Sequence, residues 1–182
     1  MPRDWGAFYA SGGKLGGGPV FVVRAYQHLL PPGAVLDLAG GSGRNALFLA
    51  SRGHPVLLVD ANADAIRQAG TAASRAGLEV VTKQHDLERG LPSGLDSYAG
   101  VVVSYYVQRS LLDSLAQLLV PGGLVLLEGY GRPEAVRRGR PDSPYYWEEG
   151  ELLKAPAGLR ILAGGEGWLE GRWRTWAVWI KH

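Results

Sequence analysis

Short apolar runs and amphipathic segments alternate along the chain from residue 21 to residue 127. Apolar residues occupy consecutive positions in the short runs, which is typical of strands buried on both faces of a sheet. We predict five such strands, at residues 34–38, 55–59, 78–82, 99–103 and 124–127. The amphipathic segments repeat their apolar residues at helical spacing, which predicts helices at residues 21–29, 44–52, 63–76 and 111–119. Strands that alternate with helices indicate a parallel sheet covered by helices.

The C-terminal part of the chain departs from this alternation. Residues 159–162 and 173–180 are strand-like, and the turn-rich segment 164–167 lies between them. Because this connection is too short for a helical crossover, we expect the two strands to pair antiparallel. The pattern therefore predicts an α/β fold with a Rossmann-like, doubly wound sheet of seven strands, mostly parallel and closed by an antiparallel C-terminal hairpin. We expect one domain over residues 1–182.

Composition narrows the class of protein. The chain has no cysteine, its four histidines are scattered, and its formal net charge is +2. Thiolate chemistry is excluded, and we expect neither a metal site nor a nucleic-acid partner. No apolar run approaches the roughly 20 residues that span a bilayer, and the N-terminus lacks the apolar core of a secretory signal. We therefore expect a cytoplasmic protein with no membrane partner.

The N-terminal segment, residues 1–19, is rich in glycine. Glycine-rich chain is flexible unless something orders it. Trp5 and Tyr9 lie in this segment, and large apolar side chains on a flexible segment can fold over a ligand. We regard the segment as a candidate lid.

A second glycine-rich segment follows the first predicted strand, at the edge of the sheet where ligands bind in such folds. Gly41-Ser42-Gly43-Arg44-Asn45-Ala46 matches the dinucleotide fingerprint, and Asp60 follows at about the usual 20 residues. The glycines allow a close approach of the ligand, and the next helix start supplies N–H donors. By itself this loop fits NAD as well as S-adenosylmethionine (SAM).

Two acidic residues favour SAM. Asp37 lies at the junction of strand and loop, where it would repel a diphosphate but attract a sulfonium cofactor that carries an amino group. Asp86, just after the third strand, is placed to accept a hydrogen bond from an adenine amino group. The helix before the first strand and the terminal hairpin are, in addition, unusual for a dinucleotide-binding half. These features together predict SAM as the cofactor.

The segment Val35-Leu36-Asp37-Leu38-Ala39-Gly40-Gly41-Ser42-Gly43-Arg44-Asn45 resembles the first motif of class I SAM-dependent methyltransferases. Its continuation Gly-Arg-Asn is similar to the glycine loop of the tellurite-resistance (TehB-like) subgroup. The resemblance extends through Asp60, Asp86 and Val120-Pro121-Gly122-Gly123-Leu124 to the terminal hairpin. It departs from the family at Ala39, where a glycine is usual. It implies an enzyme that uses SAM and releases S-adenosylhomocysteine (SAH).

The resemblance also implies roles for individual residues. The loop glycines would let the cofactor lie against the backbone, and Asp60 would accept hydrogen bonds from both ribose hydroxyls. Asp86 and Leu87 would bracket the adenine, and Asn62 would lie near it or only cap the next helix. The whole predicted cofactor site comprises Asp37, Ala39, Gly40, Gly41, Gly43, Asn45, Asp60, Ala61, Asn62, His85, Asp86, Leu87, Ser104 and Tyr105.

The acceptor is predicted from the residues after the fourth strand. The resemblance implies that Ser104 and Tyr105 face the methionine part of the cofactor and the methyl group, and we expect Tyr105 and Tyr106 to orient the acceptor. The arginines of residues 132–140, with Arg109, are expected to select an acidic or oxyanion acceptor. Together, Tyr105, Tyr106 and Arg109 are the predicted catalytic residues.

The sequence offers no obvious general base near this site. Methyl transfer needs a base only when the acceptor arrives protonated, so we expect a small acceptor that is ionised or intrinsically nucleophilic: a thiol, a chalcogen species or an oxyanion. Two alternatives stay open at this point. The chain could methylate a protein or another macromolecule, or it could be a regulatory module that binds SAM or SAH without turnover.

Overall fold

The computed structural model describes residues 7, 8, 11 and 17–182. Residues 17–182 contain one seven-stranded sheet, whose strands are β1 Val35–Leu38, β2 Val56–Asp60, β3 Val80–Gln84, β4 Tyr98–Ser104, β5 Leu119–Tyr130, β6 Leu159–Leu169 and β7 Arg172–Lys181. The strand order is β3-β2-β1-β4-β5-β7-β6. Strands β1 to β5 run parallel, and β7 pairs antiparallel with both β5 and β6. The predicted fold class is confirmed.

Helices connect the parallel strands. Within residues 17–182, the α-helices are α1 Phe21–Tyr26, α2 Arg44–Ala50, α3 Ala63–Ala76 and α4 Arg132–Arg137. Helix α3 begins where the Asn62 side chain accepts a hydrogen bond of 2.9 Å from the N–H of Ala65, and it ends at Gly77, whose φ of 63° is left-handed. Both boundaries agree with the expected capping chemistry.

Two apolar layers enclose the sheet. One layer buries Leu38, Val103 and Leu127 beneath the segment between β4 and β5 and the chain after α4. The other buries Val22, Leu49 and further apolar side chains beneath α1, α2 and α3. Because both faces are covered, the parallel strands carry apolar residues at consecutive positions. No helix in the described part of the chain is long and apolar enough to cross a membrane.

The predicted helix at residues 111–119 is wrong. The chain forms two 3₁₀ turns there, Arg109–Ser114 and Ala116–Leu118. Leu111, Leu115 and Leu118 are buried as the pattern requires, but β5 already begins at Leu119 and leaves no room for a longer helix. A spacing of three to four residues between apolar positions is compatible with either helix type, so the pattern alone does not distinguish them.

The terminal hairpin is longer than expected, and its turn lies elsewhere. Residues 164–167 belong to β6, and the reversal occurs at Glu170 and Gly171, with φ of 51° and 71°. A Cβ on Gly164 would lie 2.7 Å from Leu153, and one on Gly165 would lie 3.2 Å from the Trp176 ring. These glycines therefore make room for bulky neighbours within a strand. The prediction had interpreted them as turn residues.

Candidate functional site

A cleft opens at the carboxyl ends of the central strands, where the strand order reverses between β1 and β4. Its volume is about 380 Å³. The side chains that line it are Ala39, Asp60, Ala61, Asn62, His85, Asp86, Leu87, Glu88, Ser104, Tyr105 and Tyr106. Nine of the predicted cofactor residues belong to this set, and Glu88 was not foreseen. We call this space the cofactor cleft.

Asp60 fixes the glycine loop at the end of β2. Its Oδ2 accepts a 2.8 Å hydrogen bond from the N–H of Gly41, and its Oδ1 accepts one of 2.8 Å from the N–H of Asn62. Burial raises the pKa of Asp60 above its ordinary value, and the backbone donors oppose that rise. Each carboxylate oxygen keeps a further lone pair, so Asp60 can still accept hydroxyl donors from the cleft.

Asp37 is buried beneath the same loop. It is fully shielded from solvent, and among the described residues neither of its oxygens makes a hydrogen bond of ordinary geometry. Burial raises its pKa to about 7, although the N–H of Ala46 and the charge of Arg44 oppose the rise. A Cβ on Gly40 would lie 2.8 Å from Oδ2 of Asp37, so only glycine fits there. A buried carboxyl group whose oxygens lack a well-formed hydrogen bond is compatible with a cationic ligand above the loop.

Ala39 lies at the floor of the cofactor cleft, where the family usually has a glycine. Its φ is 54°, a left-handed conformation that costs an L-residue with a Cβ roughly 1–2 kcal/mol. The structure thus accommodates the departure from the motif at the expense of local backbone strain. A methyl group is the smallest side chain that can replace the hydrogen of glycine, so Ala39 adds little volume to the lining of the cleft.

Asn45 and the glycines of the loop lie behind the cleft surface. Nδ2 of Asn45 donates a 2.9 Å hydrogen bond to the Ser104 hydroxyl, and its Oδ1 accepts one of 3.0 Å from the N–H of Val20. Asn45 is buried. It therefore ties α2 to the end of β4 and to the chain that enters α1. Gly40, Gly41, Gly43, Asn45 and Asp37 shape the cleft without lining it.

The segment after β3 forms one wall of the cofactor cleft. Nε2 of His85 lies 2.9 Å from the carbonyl oxygen of Gly90, which requires the proton on that nitrogen. The Asp86 side chain accepts a 3.0 Å hydrogen bond from the N–H of Glu88, so it caps the following turn. Leu87 is buried against the cleft. Asp86 thus caps this turn and also lines the cleft.

Tyr105 follows β4 in a strained conformation. Its φ is 55°, and its hydroxyl donates a 2.7 Å hydrogen bond to Oε1 of Glu128. Burial and the neighbouring Glu128 carboxylate raise its pKa far above the ordinary value. A strained residue at the end of a strand beside a cleft is typical of a functional position. Sequence reasoning missed Glu128 because it lies inside an apolar strand.

Tyr106 lies beside Tyr105 and faces the His85–Glu88 wall. Its hydroxyl contacts Oε1 of Gln108 and donates to Oε1 of Glu88 at 2.9 Å. Burial raises its pKa well above the ordinary value, and Glu88 adds to the rise. Both tyrosine hydroxyls therefore act as donors to groups of the protein itself.

A second, wider cleft adjoins the cofactor cleft and shares Glu88, Tyr105 and Tyr106 with it. Its volume is about 1640 Å³. Arginines dominate its lining: Arg24, Arg44, Arg137, Arg138, Arg140, Arg172 and Arg174. Glu88 and Glu170 are the carboxylates in the same lining. We call this space the arginine cleft. Three of its arginines belong to residues 132–140, the segment predicted to select the acceptor.

Arg109, predicted as a catalytic residue, does not line either cleft. Its guanidinium binds the Glu151 carboxylate at 2.6 and 2.8 Å and donates to the carbonyl oxygens of Pro144 and Tyr146. It also lies over the Trp147 ring, 5.3 Å from its centre. These contacts hold the chain after α4 in place, so Arg109 supports this segment, and its contact with the acceptor stays a prediction.

The arginines of residues 132–140 differ in their contacts. Arg132 binds Glu148 and two backbone carbonyl oxygens, so it too supports the loop. Arg137 and Arg138 share the buried Glu134, each at 2.6 Å. These two arginines lower the pKa of Glu134 to about 2. The candidate lid residues Trp5 and Tyr9 lie outside the described residues.

Comparison with known proteins agrees with this geometry. Residues 35–123 match the model of the family described as a methyltransferase domain. The tRNA 5-carboxymethoxyuridine methyltransferase of Escherichia coli (strain K12) is 33% identical over 153 residues, which cover 74% of this chain and 59% of that protein. The ubiquinone biosynthesis O-methyltransferase of Caulobacter sp. (strain K31) is 29% identical over 72% of this chain and 58% of its own length. The chain thus spans about three fifths of these curated relatives.

Solved structures show the same fold. TehB from Haemophilus influenzae superposes with a TM-score of 0.74 at 19% identity, over 98% of this chain and 67% of that one. A structure described as "Conversion of a Disulfide Bond into a Thioacetal Group during Echinomycin Biosynthesis" superposes with a TM-score of 0.76 at 21% identity, over 97% and 90%. At these identities the likeness concerns the fold.

Proposed function

We propose that the chain is a class I SAM-dependent methyltransferase that transfers a methyl group from SAM to a small acceptor that is ionised or intrinsically nucleophilic. The match of residues 35–123 to the methyltransferase-domain family and the curated relatives support this proposal. These comparisons support the predicted enzyme class, and two structures of the same fold, titled as holding SAH and SAM, support the predicted cofactor. The acceptor, the assignment to the TehB-like subgroup and the roles of individual residues are parts of the proposal.

The residues of the cofactor cleft fit a cationic nucleoside cofactor. The orphaned carboxyl group of Asp37 lies beneath the loop, and Asp60 keeps acceptor capacity toward the cleft. We assign Asp60 to the ribose hydroxyls, Asp86 with Leu87 to the adenine, and Ser104 to the methionine part. When bound, SAM supplies an electrophilic methyl group: an acceptor lone pair forms a bond to that carbon while the carbon–sulfur bond breaks and leaves its electron pair on the sulfur of SAH.

The state of the two tyrosines is the observation that supports an ionised acceptor. Tyr105 and Tyr106 lie where the two clefts meet, and both hydroxyls already donate to protein groups. Since the pKa of each is raised, neither can take a proton from an acceptor near neutral pH. Their role is to orient the acceptor and to exclude water from it.

A second candidate acceptor is an anionic group carried on RNA. The relative from Escherichia coli acts, by its name, on a tRNA nucleoside that contains a carboxymethoxy group. The arginine cleft is wide, and several of its arginines have no carboxylate partner among residues 17–182. A phosphate backbone would be attracted to such a surface. The small acceptor remains the main proposal because the net charge of the chain is only +2.

Calorimetry tests the cofactor assignment first. Titration with SAM, SAH and NAD is expected to give binding of SAM and SAH and none of NAD. An acceptor screen on the protein then follows, with thiols, chalcogen oxyanions, small carboxylates and tRNA that carries carboxymethoxyuridine, and with SAH formation as the readout. Turnover with a small compound supports the proposal. Turnover with tRNA alone favours the second candidate, and SAH binding without turnover of any acceptor favours the regulatory module.

The proposed role of residues 132–140 in acceptor selection needs a test that does not disturb the fold. Reversing the charge of Arg137 and Arg138 would place carboxylates against the buried Glu134. Arg140→Glu changes the same cleft, and Arg140 has no ion-pair partner in the described residues. We expect a higher acceptor KM with unchanged SAM affinity. An unchanged KM would remove this loop from acceptor selection.

A further inference from the structure

We propose that the arginine cleft binds a second, unreactive anionic group of the acceptor, a carboxylate or a phosphate, at Arg44, Arg138 and Arg172 around the Tyr105–Tyr130 ring pair. This inference rests on the proposed function, because it names the class of molecule that enters the site. It separates the atom that is methylated, next to Tyr105 and Tyr106, from the group by which the acceptor is held.

Two tyrosine rings form the centre of this subsite. The ring centres of Tyr105 and Tyr130 are 4.6 Å apart at an angle of 43°. The guanidinium carbon of Arg44 lies 5.2 Å from the centre of the Tyr105 ring. Those of Arg138 and Arg172 lie 4.5 and 6.0 Å from the centre of the Tyr130 ring. Three guanidinium groups thus gather around one pair of rings.

The carboxylates nearby do not balance these charges. Arg44 and Arg172 have no ion-pair partner among residues 17–182. Arg138 shares the single Glu134 carboxylate with Arg137. Like charges repel when they gather beside a low-dielectric surface. An arrangement of this kind is stabilised when an anion binds between the guanidinium groups, and we take the excess charge as the mark of an anion subsite.

The geometry of arginine narrows the ligand class. Arg172 donates to the Tyr130 hydroxyl at 2.8 Å, which uses one of the five N–H donors of its guanidinium. The remaining donors lie in a planar fork that matches two oxygens of a carboxylate or a phosphate. A neutral or cationic group would leave these donors and charges uncompensated.

The position of the rings connects the subsite to the reaction. Tyr105 lines both clefts, whereas Tyr130 lines only the arginine cleft. An anion at Tyr130 therefore lies one ring away from the cofactor cleft. A small molecule with a nucleophile at one end and an anionic group at the other can bridge this distance, and anchoring its far end aligns the near end with the methyl group.

Arg172 offers the cleanest test of the subsite. It is exposed, and its removal leaves no buried carboxylate without a partner. Arg138→Gln would instead weaken the contacts of the buried Glu134, and Arg44 directly follows the glycine loop of the cofactor cleft. Arg75, exposed near the end of α3 and outside the arginine cleft, provides a control with the same change of charge.

The experiment is calorimetry of the SAH-loaded protein at low ionic strength, with inorganic pyrophosphate and malonate as separate probes. We expect the natural protein and Arg75→Gln to bind at least one probe equally. The Kd is expected to rise about tenfold in Arg172→Gln, the loss of one charge-assisted contact, and to recover in part in Arg172→Lys.

Three results would overturn the subsite. These are no binding of either probe to the natural protein, an unchanged Kd in Arg172→Gln, or equal weakening in Arg172→Gln and Arg75→Gln. The SAH titration that precedes each measurement tests the proposed function separately. A protein that fails to bind SAH contradicts the proposed function, whereas one that binds SAH but neither probe contradicts the subsite alone.

Discussion

The hydroxyl of Tyr105 donates a 2.7 Å hydrogen bond to Glu128, whose other carboxylate oxygen accepts the N–H of Val22 at 2.9 Å. Arg174 contacts the first of these oxygens at 3.3 Å. Glu128 is buried within β5. One carboxylate therefore joins the end of β4, the start of α1 and the C-terminal hairpin, and it fixes the tyrosine at which the two clefts meet.

Glu128→Gln tests this junction. Loss of the charge weakens three contacts at a buried group, so we expect the free energy of unfolding to fall by about 1–3 kcal/mol. Chemical denaturation of the two proteins measures the difference. Tyr105→Phe is the matched control because it removes one hydroxyl and leaves the carboxylate bound to Val22 and Arg174; we expect a smaller loss. A Glu128→Gln protein as stable as the natural one would contradict the junction.

Asp60→Asn should weaken cofactor binding. An amide at this position presents an NH₂ group toward one of the two backbone donors, Gly41 or Asn62, and loses the charged acceptor. We expect SAH affinity to fall by about tenfold to a hundredfold, corresponding to about 1.5–3 kcal/mol. Calorimetry with SAH gives the value. Asp64→Asn, which changes a surface carboxylate paired with Arg67, is the control and should bind SAH normally.

Ala39→Gly should stabilise the protein. Glycine adopts the left-handed conformation of residue 39 without strain, and this gain exceeds the added entropy of the unfolded chain, for a net of about 0.5–1 kcal/mol. Thermal unfolding measures the shift. Gly77→Ala is the reciprocal change at φ 63° with open space around the Cβ, and it should destabilise by about 1 kcal/mol. The prediction fails if both variants shift stability in the same direction.

Asp37 should make stability depend on pH. Burial raises its folded pKa from 3.8 to about 7, so the folded protein binds a proton more tightly than the unfolded chain does. Stability from this group is therefore present below pH 3.8 and is lost as the pH rises toward 7. Asp37→Asn removes this titration, and its stability relative to the natural protein should rise by up to about 4 kcal/mol across the interval. A difference that stays constant with pH would contradict the raised pKa.

Arg109→Gln should affect the loop and spare the cofactor cleft. Since the Arg109 side chain is 42% exposed, its pairing with Glu151 is screened, and we expect a loss of about 1 kcal/mol. The Kd for SAH should stay within about twofold of the natural value. The corresponding change in binding free energy is well below the roughly 1.4 kcal/mol of a tenfold change. Arg160→Gln, on the exposed side of β6, is the control for charge. A large fall in kcat at unchanged stability would instead restore Arg109 to the catalytic residues.

Local pattern was sufficient for several elements. The boundaries of α3 follow from a capping side chain at Asn62 and a left-handed glycine at Gly77, and both signals lie within the segment they delimit. The acidic residues of the cofactor cleft were found for the same reason, since Asp60 ends β2 and Asp86 lies two residues after β3, and parallel pairing brings these two strand ends to one edge. Where a single pattern fits two structures, as at Arg109–Ser114, the prediction failed.

The sequence by itself determined the parallel sheet, its closing hairpin and the carboxylates at the strand ends, because apolar periodicity and caps are properties of neighbouring residues. The tertiary structure alone decided which polar groups meet. Glu128 and Val22 are 106 residues apart, and Arg109 and Glu151 are 42 apart. Such pairs form only when strand order and packing bring distant residues together. The pattern of neighbouring residues carries no information about these distances. For this reason the sequence did not reveal the ion pair of Arg109 with Glu151, and it gave no signal for Arg172, which lies outside every motif.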